Sequence, residues 1–264
     1  MAARYMRIQT MNSSRLLRIV ILALVFAATI SGCIDLASWR YTPNSATPSS
    51  IHVPLTLAVE YFKDQRGDRK YNHMWLCAIP AILLCTAEYD RPDTNNGFLT
   101  VLTYNFRPSD DLANAVATEL RQAAIFREVD VTEKSLGPGA QLVLRGVIEN
   151  TEWRGEGYAY LLGLSRGLPI LLGLPMGSVY NALKLHLELL KQSNQQVLWR
   201  YDIEEHYSKT EGMYYNLGRD FDYPEMLRAG INPAIESLRQ FIASQPASYW
   251  DAMAPAGTAM HAAN

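Results

Sequence analysis

The 264-residue chain has little of what marks the common enzyme classes. It has three cysteines and five histidines. The histidines, His52, His73, His186, His206 and His261, show no metal-ligand spacing, which argues against a zinc site. There is no Gly-rich phosphate loop and no G-x-G-x-x-G after a strand candidate, so neither nucleotide chemistry nor any other cofactor is expected. Lys and Arg form no cluster beyond the N-terminus, so nucleic acid is not an expected partner. Asp and Glu are missing from residues 1–32, while Arg4, Arg7, Arg15 and Arg18 make that stretch positive. The apolar run that follows, Ile19 to Thr29, is too short to span about 30 Å of hydrocarbon as a helix. It has the length of a signal-peptide core.

What is there begins with Ile30-Ser31-Gly32-Cys33. Small residues directly before a cysteine resemble the lipobox of bacterial lipoproteins. The resemblance implies cleavage between Gly32 and Cys33 and a covalent diacylglycerol or acyl lipid on the Cys33 thiol. Two or three acyl chains hold a protein stably on a membrane, whereas one holds it weakly. Ile34 stands where an Asp would favour inner-membrane retention in Gram-negative lipoproteins. The implied location is therefore the periplasmic face of the outer membrane. An uncleaved inner-membrane anchor is the alternative, and Met11 would begin a leader of more ordinary length than Met1.

The expected organisation is a signal peptide over 1–32, a flexible Ser/Thr/Pro-rich tether over 33–53, one domain over 54–244 and a disordered Ala/Pro-rich tail over 245–264. The domain is long enough to bury a real core. Taking four leader arginines from 24 basic residues leaves 20 against 26 acidic ones, a net charge of −6. With Cys33 used for lipid, Cys77 and Cys85 remain. An even remainder in an oxidising compartment fits a disulfide, with the chain folding back at Pro80. Two free, buried thiols are the alternative.

Apolar periodicity places the elements. Leu55, Leu57, Val59 and Tyr61 alternate, predicting a strand near 54–62. Lys63–Lys70, with Asp64, Arg66, Asp68 and Arg69, reads as a solvated charged loop. Phe98–Tyr104 is a short strand candidate. A helix is expected from Ser109 as N-cap to about Phe126, with Leu112, Val116, Leu120 and Ala124 as its buried stripe. Strands are expected at Glu128–Thr132 and Gln141–Trp153. Leu183–Leu189 and Val197–Ile203 alternate around Gln192-Ser193-Asn194, predicting a hairpin that pairs Leu189 with Val197 and Leu187 with Trp199. A last helix starts at Asp222 and Pro224, with a kink or break near Ile231-Asn232 ahead of Pro233. The fold class is α+β: a single domain with a mixed or antiparallel sheet, two amphipathic helices on one face, an N-terminal signal helix and two apolar insertions.

The insertions are residues 74–86 and 158–179. The second is interrupted by Arg166, Pro169 and Pro175. It would either cover the core or form a membrane- or partner-facing patch of Leu161, Leu162, Leu164, Leu168, Ile170, Leu171, Leu172 and Leu174. It also contains Gly163-Leu164-Ser165-Arg166-Gly167, a formal G-x-S-x-G match, with Asp202 and His206 following in hydrolase order. Pro169 and the antiparallel hairpin downstream are the wrong context for that motif.

Four stretches carry a wider resemblance: Val59–Arg66, a strand running into an Asp-x-Arg loop, then Leu120–Phe126, Leu142–Ile148 and Val197–Tyr201. Together they are similar to uncharacterised lipoproteins of Gram-negative bacteria. More distantly they resemble the auxiliary lipoproteins of ABC-type transport and the curli-secretion lipoprotein, whose subunits form a ring. That resemblance implies a non-enzymatic scaffold or accessory role in envelope assembly or transport. It also implies a membrane contact through the anchor and an envelope protein or a second copy of the chain as partner. The alternative is a membrane-tethered periplasmic hydrolase using Ser165.

Overall fold

The structure, a computed structural model, describes residues 39–44, 51–94, 106–133, 139–216 and 221–254. Gly32, Cys33 and the leader, the candidate strand Phe98–Tyr104 and residues 255–264 lie outside the described residues. In chain order the elements are β1 (Val53–Glu60), β2 (Lys63–Asp64), β3 (Lys70–Asn72), β4 (Leu84–Tyr89), α1 (Pro108–Ala123), β5 (Phe126–Thr132), β6 (Leu142–Asn150), β7 (Trp153–Tyr158), α2 (Gly167–Leu171), β8 (Gly177–Lys191), β9 (Gln196–Glu211), α3 (Tyr223–Ser244) and α4 (Ala247–Asp251). The architecture is α+β, a single mixed sheet with helices on one face.

The spine is the hairpin of β8 and β9, 15 and 16 residues long. Every second β8 side chain from Val179 to Leu189 is buried, so its alternation fixes which face meets the core. The other edge of β8 is shared. β6 pairs with its second half and β7 with its first half, both antiparallel. The sheet therefore forks. One branch runs β6–β1–β5, with β1 parallel to both neighbours. The other runs β7–β4–β3, all antiparallel.

Both long helices cover the first branch. Val116 and Leu120 of α1 and Ile231, Ile235 and Leu238 of α3 meet Leu144, Leu187 and Trp199 around one small apolar gap. The buried core runs from Val53 to Trp250, and residues 37–264 make one compact unit. That unit holds every buried core side chain among the described residues.

Several expectations are corrected. The register of the hairpin is two residues off the expected one: Leu189 pairs with Trp199 and Leu187 with Tyr201. A bulge between Leu189 and Leu190 and a longer turn, with Gln195 at φ 57°, absorb the difference. A shift of two keeps every side chain on its face. α1 starts one residue early, with Pro108 at its first position and Arg107 as N-cap. No side chain caps the helix; the Arg107 N–H donates to Asp111 Oδ2 (2.7 Å). α1 ends at Ala123, and Ala124 leaves it at φ 51°. The single strand expected over Gln141–Trp153 is two strands, broken at Thr151 and Glu152 where the sheet forks.

α3 runs unbroken through Pro233. Pro233 and Asn232 lie on the exposed face, while Leu227, Ile231, Ala234, Ile235 and Leu238 are buried. The lost backbone bond falls where water can replace it, and burial of the stripe outweighs it.

The segments expected to be tether and tail contribute to the globule. The Tyr41 hydroxyl donates to Glu119 Oε1 (2.5 Å), and the Asn44 N–H donates to the same oxygen (2.8 Å). Trp39 stacks on Phe106 at 4.9 Å. Burial, and then the Glu119 carboxylate, push the Tyr41 hydroxyl pKa up. At the other end Trp250 of α4 is buried in the core.

Close packing of α3 on β9 gives a test. A Cβ on Gly230 would stand 2.3 Å from Ile203 Cγ2. Helix propensity alone would make Gly230→Ala stabilising by about 1 kcal/mol. The clash outweighs it, and urea unfolding should show Gly230→Ala less stable by about 1–2 kcal/mol.

Candidate functional site

The second branch of the sheet carries the candidate site at its outer end. Three segments meet there: 74–84, 159–176 and 212–215. Met74–Ala78 form a 3-10 turn, and Cys77 is joined to Cys85 by a disulfide with Cα atoms 5.4 Å apart. Both cysteines are buried with Ala159 in a small cluster of their own. A Cβ on Gly157 would stand 2.7 Å from Cys85 Sγ and 3.0 Å from Cys77 Sγ, so only glycine fits under the bridge.

The second segment docks on the first through its backbone. Ala81 N–H donates to Leu161 O (3.1 Å), Leu161 N–H to Ile82 O (3.0 Å) and Ala159 N–H to Leu83 O (2.9 Å). The turn that permits this has Tyr160, Leu161 and Gly163 at φ 55°, 62° and 55°. Left-handed backbone is costly for Tyr and Leu, so the docking holds a strained turn in place. The third segment closes the tip. Tyr214 Oη donates to Leu171 O (2.8 Å), and Met176 N–H donates to Glu211 O (2.7 Å).

The outward face of this tip is apolar. Leu164 is 85% exposed, Leu172 79%, Leu168 65% and Trp75 60%. Leu161, Leu162, Leu171 and Leu174 are exposed as well, so this insertion does not cover the core. Ile170 is the correction among the eight expected patch residues: α2 turns it inward, leaving 9% exposed. Trp75, Leu83, Leu84 and Tyr214 join the same surface without having been expected there. The available signal was the lack of any charged residue over 74–86, together with a cysteine pair that folds the segment back.

The charged loop after β1 is a second correction. Arg66 is not solvated: its guanidinium is 2% exposed and sits in the fork of the sheet. It donates to Asp64 (2.9 Å), Asp93 (2.5 Å) and Thr151 Oγ1 (2.7 Å). Thr151 Oγ1 in turn donates to Asp90 O, and Tyr223 Oη donates to Thr151 O. Burial works against the Arg66 charge, but bonds to Asp64 and Asp93 outweigh it and raise its pKa. The Arg66 hydrogen bond holds the Asp64 carboxyl below its ordinary value, against partial burial. The cluster ties the two sheet branches together.

The hydrolase constellation is not brought together. Ser165 lies in a 3-10 turn, Gly163–Arg166, that follows a tight turn rather than a parallel strand. The Asp202 carboxylate hydrogen-bonds His186 Nδ1 (2.5 Å), not His206. That bond, with Glu188 on the other ring nitrogen, raises the His186 pKa despite some burial. The His206 ring stacks on Tyr180 at 6.4 Å instead. No hydrogen bond joins Ser165 to a histidine among the described residues. Nor is any group of three or more His, Cys, Asp or Glu placed to hold a metal there. No described helix is long and apolar enough to cross a membrane.

No family model and no curated protein matches the sequence. Solved structures do resemble it in chain path. A Xanthomonas campestris protein described under the family model DUF330 is 10% identical, with a TM-score of 0.41 over 78% of this chain and 96% of its own. PelC from Paraburkholderia phytofirmans, solved as a dodecamer, is 12% identical, with a TM-score of 0.34 over 73% of this chain and 93% of its own. Lipoprotein GNA1162 from Neisseria meningitidis is 12% identical, with a TM-score of 0.26 over 69% and 99%.

Two predictions follow from these contacts. Arg66→Met leaves two carboxylates without their cation and should cost about 3 kcal/mol at neutral pH. In the parent the Asp64 contribution is present above its ordinary pKa of 3.8 and lost as pH falls through the lower folded value. The variant should lack that part of the acid dependence, measured by unfolding from pH 7 to pH 2. Replacing both Cys77 and Cys85 with Ala removes a short-loop crosslink worth roughly 2–3 kcal/mol. Amide exchange should then rise in 74–86 and 159–176, while β1, β6 and α3 keep their protection.

Proposed function

We propose that the protein is a lipid-anchored envelope protein that acts as a scaffold or accessory factor rather than as an enzyme, through the apolar tip. The observation that carries this reading is the tip itself. Its leucines stand outward, and several of its segments are fixed by backbone bonds, a disulfide and tyrosine hydroxyls. Monomeric soluble proteins rarely keep such a contiguous apolar patch unless something binds it. The anchor belongs to the same reading: the cysteine at 33, after an acid-free leader and Ile30-Ser31-Gly32, is the acylation site. Outer-membrane residence on the periplasmic face follows from Ile34 in the sorting position. A homo-oligomer or an envelope protein partner fits the same surface. A hydrolase using Ser165 is disfavoured by the engagement of Asp202 with His186 and by the turn that holds the serine.

The test separates anchor from tip. Cys33→Ala should abolish incorporation of radiolabelled palmitate and release the protein from the membrane fraction. Leu171→Asn with Leu172→Asn should leave acylation, expression and thermal midpoint unchanged, and should produce the envelope defect of the deletion strain. Full complementation by either variant would sink the proposal, and so would labelling of Ser165 by a fluorophosphonate probe.

A further inference from the structure

We infer that the apolar tip is a bilayer-docking surface, seated on lipid at the boundary between headgroups and acyl chains. This rests on the reading of the tip as the working surface and names what covers it. Charge is the first argument. Residues 74–86, 159–178 and 212–216 contain no Asp or Glu, and their one charged side chain is Arg166. Arg166 makes no ion pair among the described residues, so its charge is available to an anionic headgroup. A second copy of the chain is the less favoured occupant of the two, because a two-fold axis passing near Arg166 would bring two like charges together in an apolar interface.

Backbone chemistry is the second argument. A surface entering lipid must satisfy its main-chain groups from within, whereas a wet loop can leave them to water. Here Leu162 N–H donates to Ala159 O, Ser165 N–H to Leu162 O, Leu172 N–H to Leu168 O and Gly173 N–H to Ile170 O, besides the bonds between the segments. Trp75 and Tyr214, amphipathic rings of the kind that favour the membrane interface, stand beside the exposed leucines.

The leash is the third. Trp39 is fixed to the globule, and Cys33 lies six residues before it. Fully extended, that chain reaches only about 20 Å. An acylated Cys33 therefore keeps the globule at a bilayer surface, where a weak second contact suffices.

The experiment uses residues 37–264, the compact unit without leader or Cys33, mixed with vesicles of phosphatidylethanolamine and phosphatidylglycerol. The protein should float with the vesicles. Trp75 emission should shift to the blue and be quenched by lipids brominated on the acyl chains. In a Trp39→Phe background, Trp75→Phe should lose that quenching, because the remaining Trp153, Trp199 and Trp250 are buried. Leu164→Asp and Leu172→Asp should each lower partitioning by about tenfold or more, with an unchanged circular dichroism spectrum. Arg166→Gln should weaken binding to anionic vesicles and reduce its salt dependence. A protein that stays in solution with unshifted Trp75 emission overturns the inference. So does a dimer, dissolved by Leu172→Asp, that ignores vesicles. Either result leaves the anchored accessory role standing, because that role is judged by complementation and not by lipid binding of the unanchored chain.

Discussion

The structure depends on one long strand having two different neighbours along a single edge. β9 covers one side of β8 from end to end, and the other side is divided between β6 and β7. A strand that changes partner leaves backbone and side-chain polar groups facing one another at the junction, and buried polar groups without partners are costly. The fork is accordingly where the polar network lies. Ala182 N–H crosses to Glu152 O, Thr151 accepts Arg66 and Tyr223 reaches the Thr151 carbonyl. The buried guanidinium is less a source of net stability than the group that lets two sheet branches share one spine.

That division also separates two tasks. The branch under the helices holds the larger apolar core, and its leucines and valines are nearly all inaccessible. The branch beyond the fork has only small clusters, around Trp153 and around the disulfide. Rings link the two: Trp39, Phe106, Tyr223, Phe221, Trp153 and Tyr89 follow one another at centroid distances of 4.9–6.3 Å. The chain at Trp39 is therefore packed, ring on ring, into the same body that supports the tip. With so little core of its own, the outer branch needs its covalent staple more than the inner branch does.

Elements governed by local periodicity were legible in the sequence. The alternation of Leu183–Leu189 and the stripes of α1 and α3 placed the hairpin, the helices and the face they share. Features set by competition between distant groups were not. Arg66 looks solvated in a stretch of mixed charge, because nothing local says that Asp93 and Thr151 will surround it. Pro233 looks like a helix breaker until α3 is seen to expose that face. The hairpin register depended on a bulge and on Gln195 adopting positive φ, neither of which has a strong residue signature. For the tip, seven of the eight leucines and isoleucines of the second insertion are exposed, and Ile170 is not. The contribution of Trp75 and Leu83 depended on which side chains the fold-back at Pro80 leaves outward, which local pattern does not specify.

The tip also shows how apolar surface can be held out in water without collapsing onto the core. A flexible leucine-rich loop would fold onto the nearest apolar surface, or order only on binding and lose affinity to that ordering. Here Pro169 stands in the first turn of the short helix α2, Pro175 lies two residues before β8, and the strained turn at Tyr160 and Leu161 is locked by bonds to Ala81 and Ile82. Ile170 is the one member of the leucine run turned inward. The conformational cost of presenting the surface has thus been met during folding, so burial of the outward leucines is left to drive association. Such a face can bind with little rearrangement.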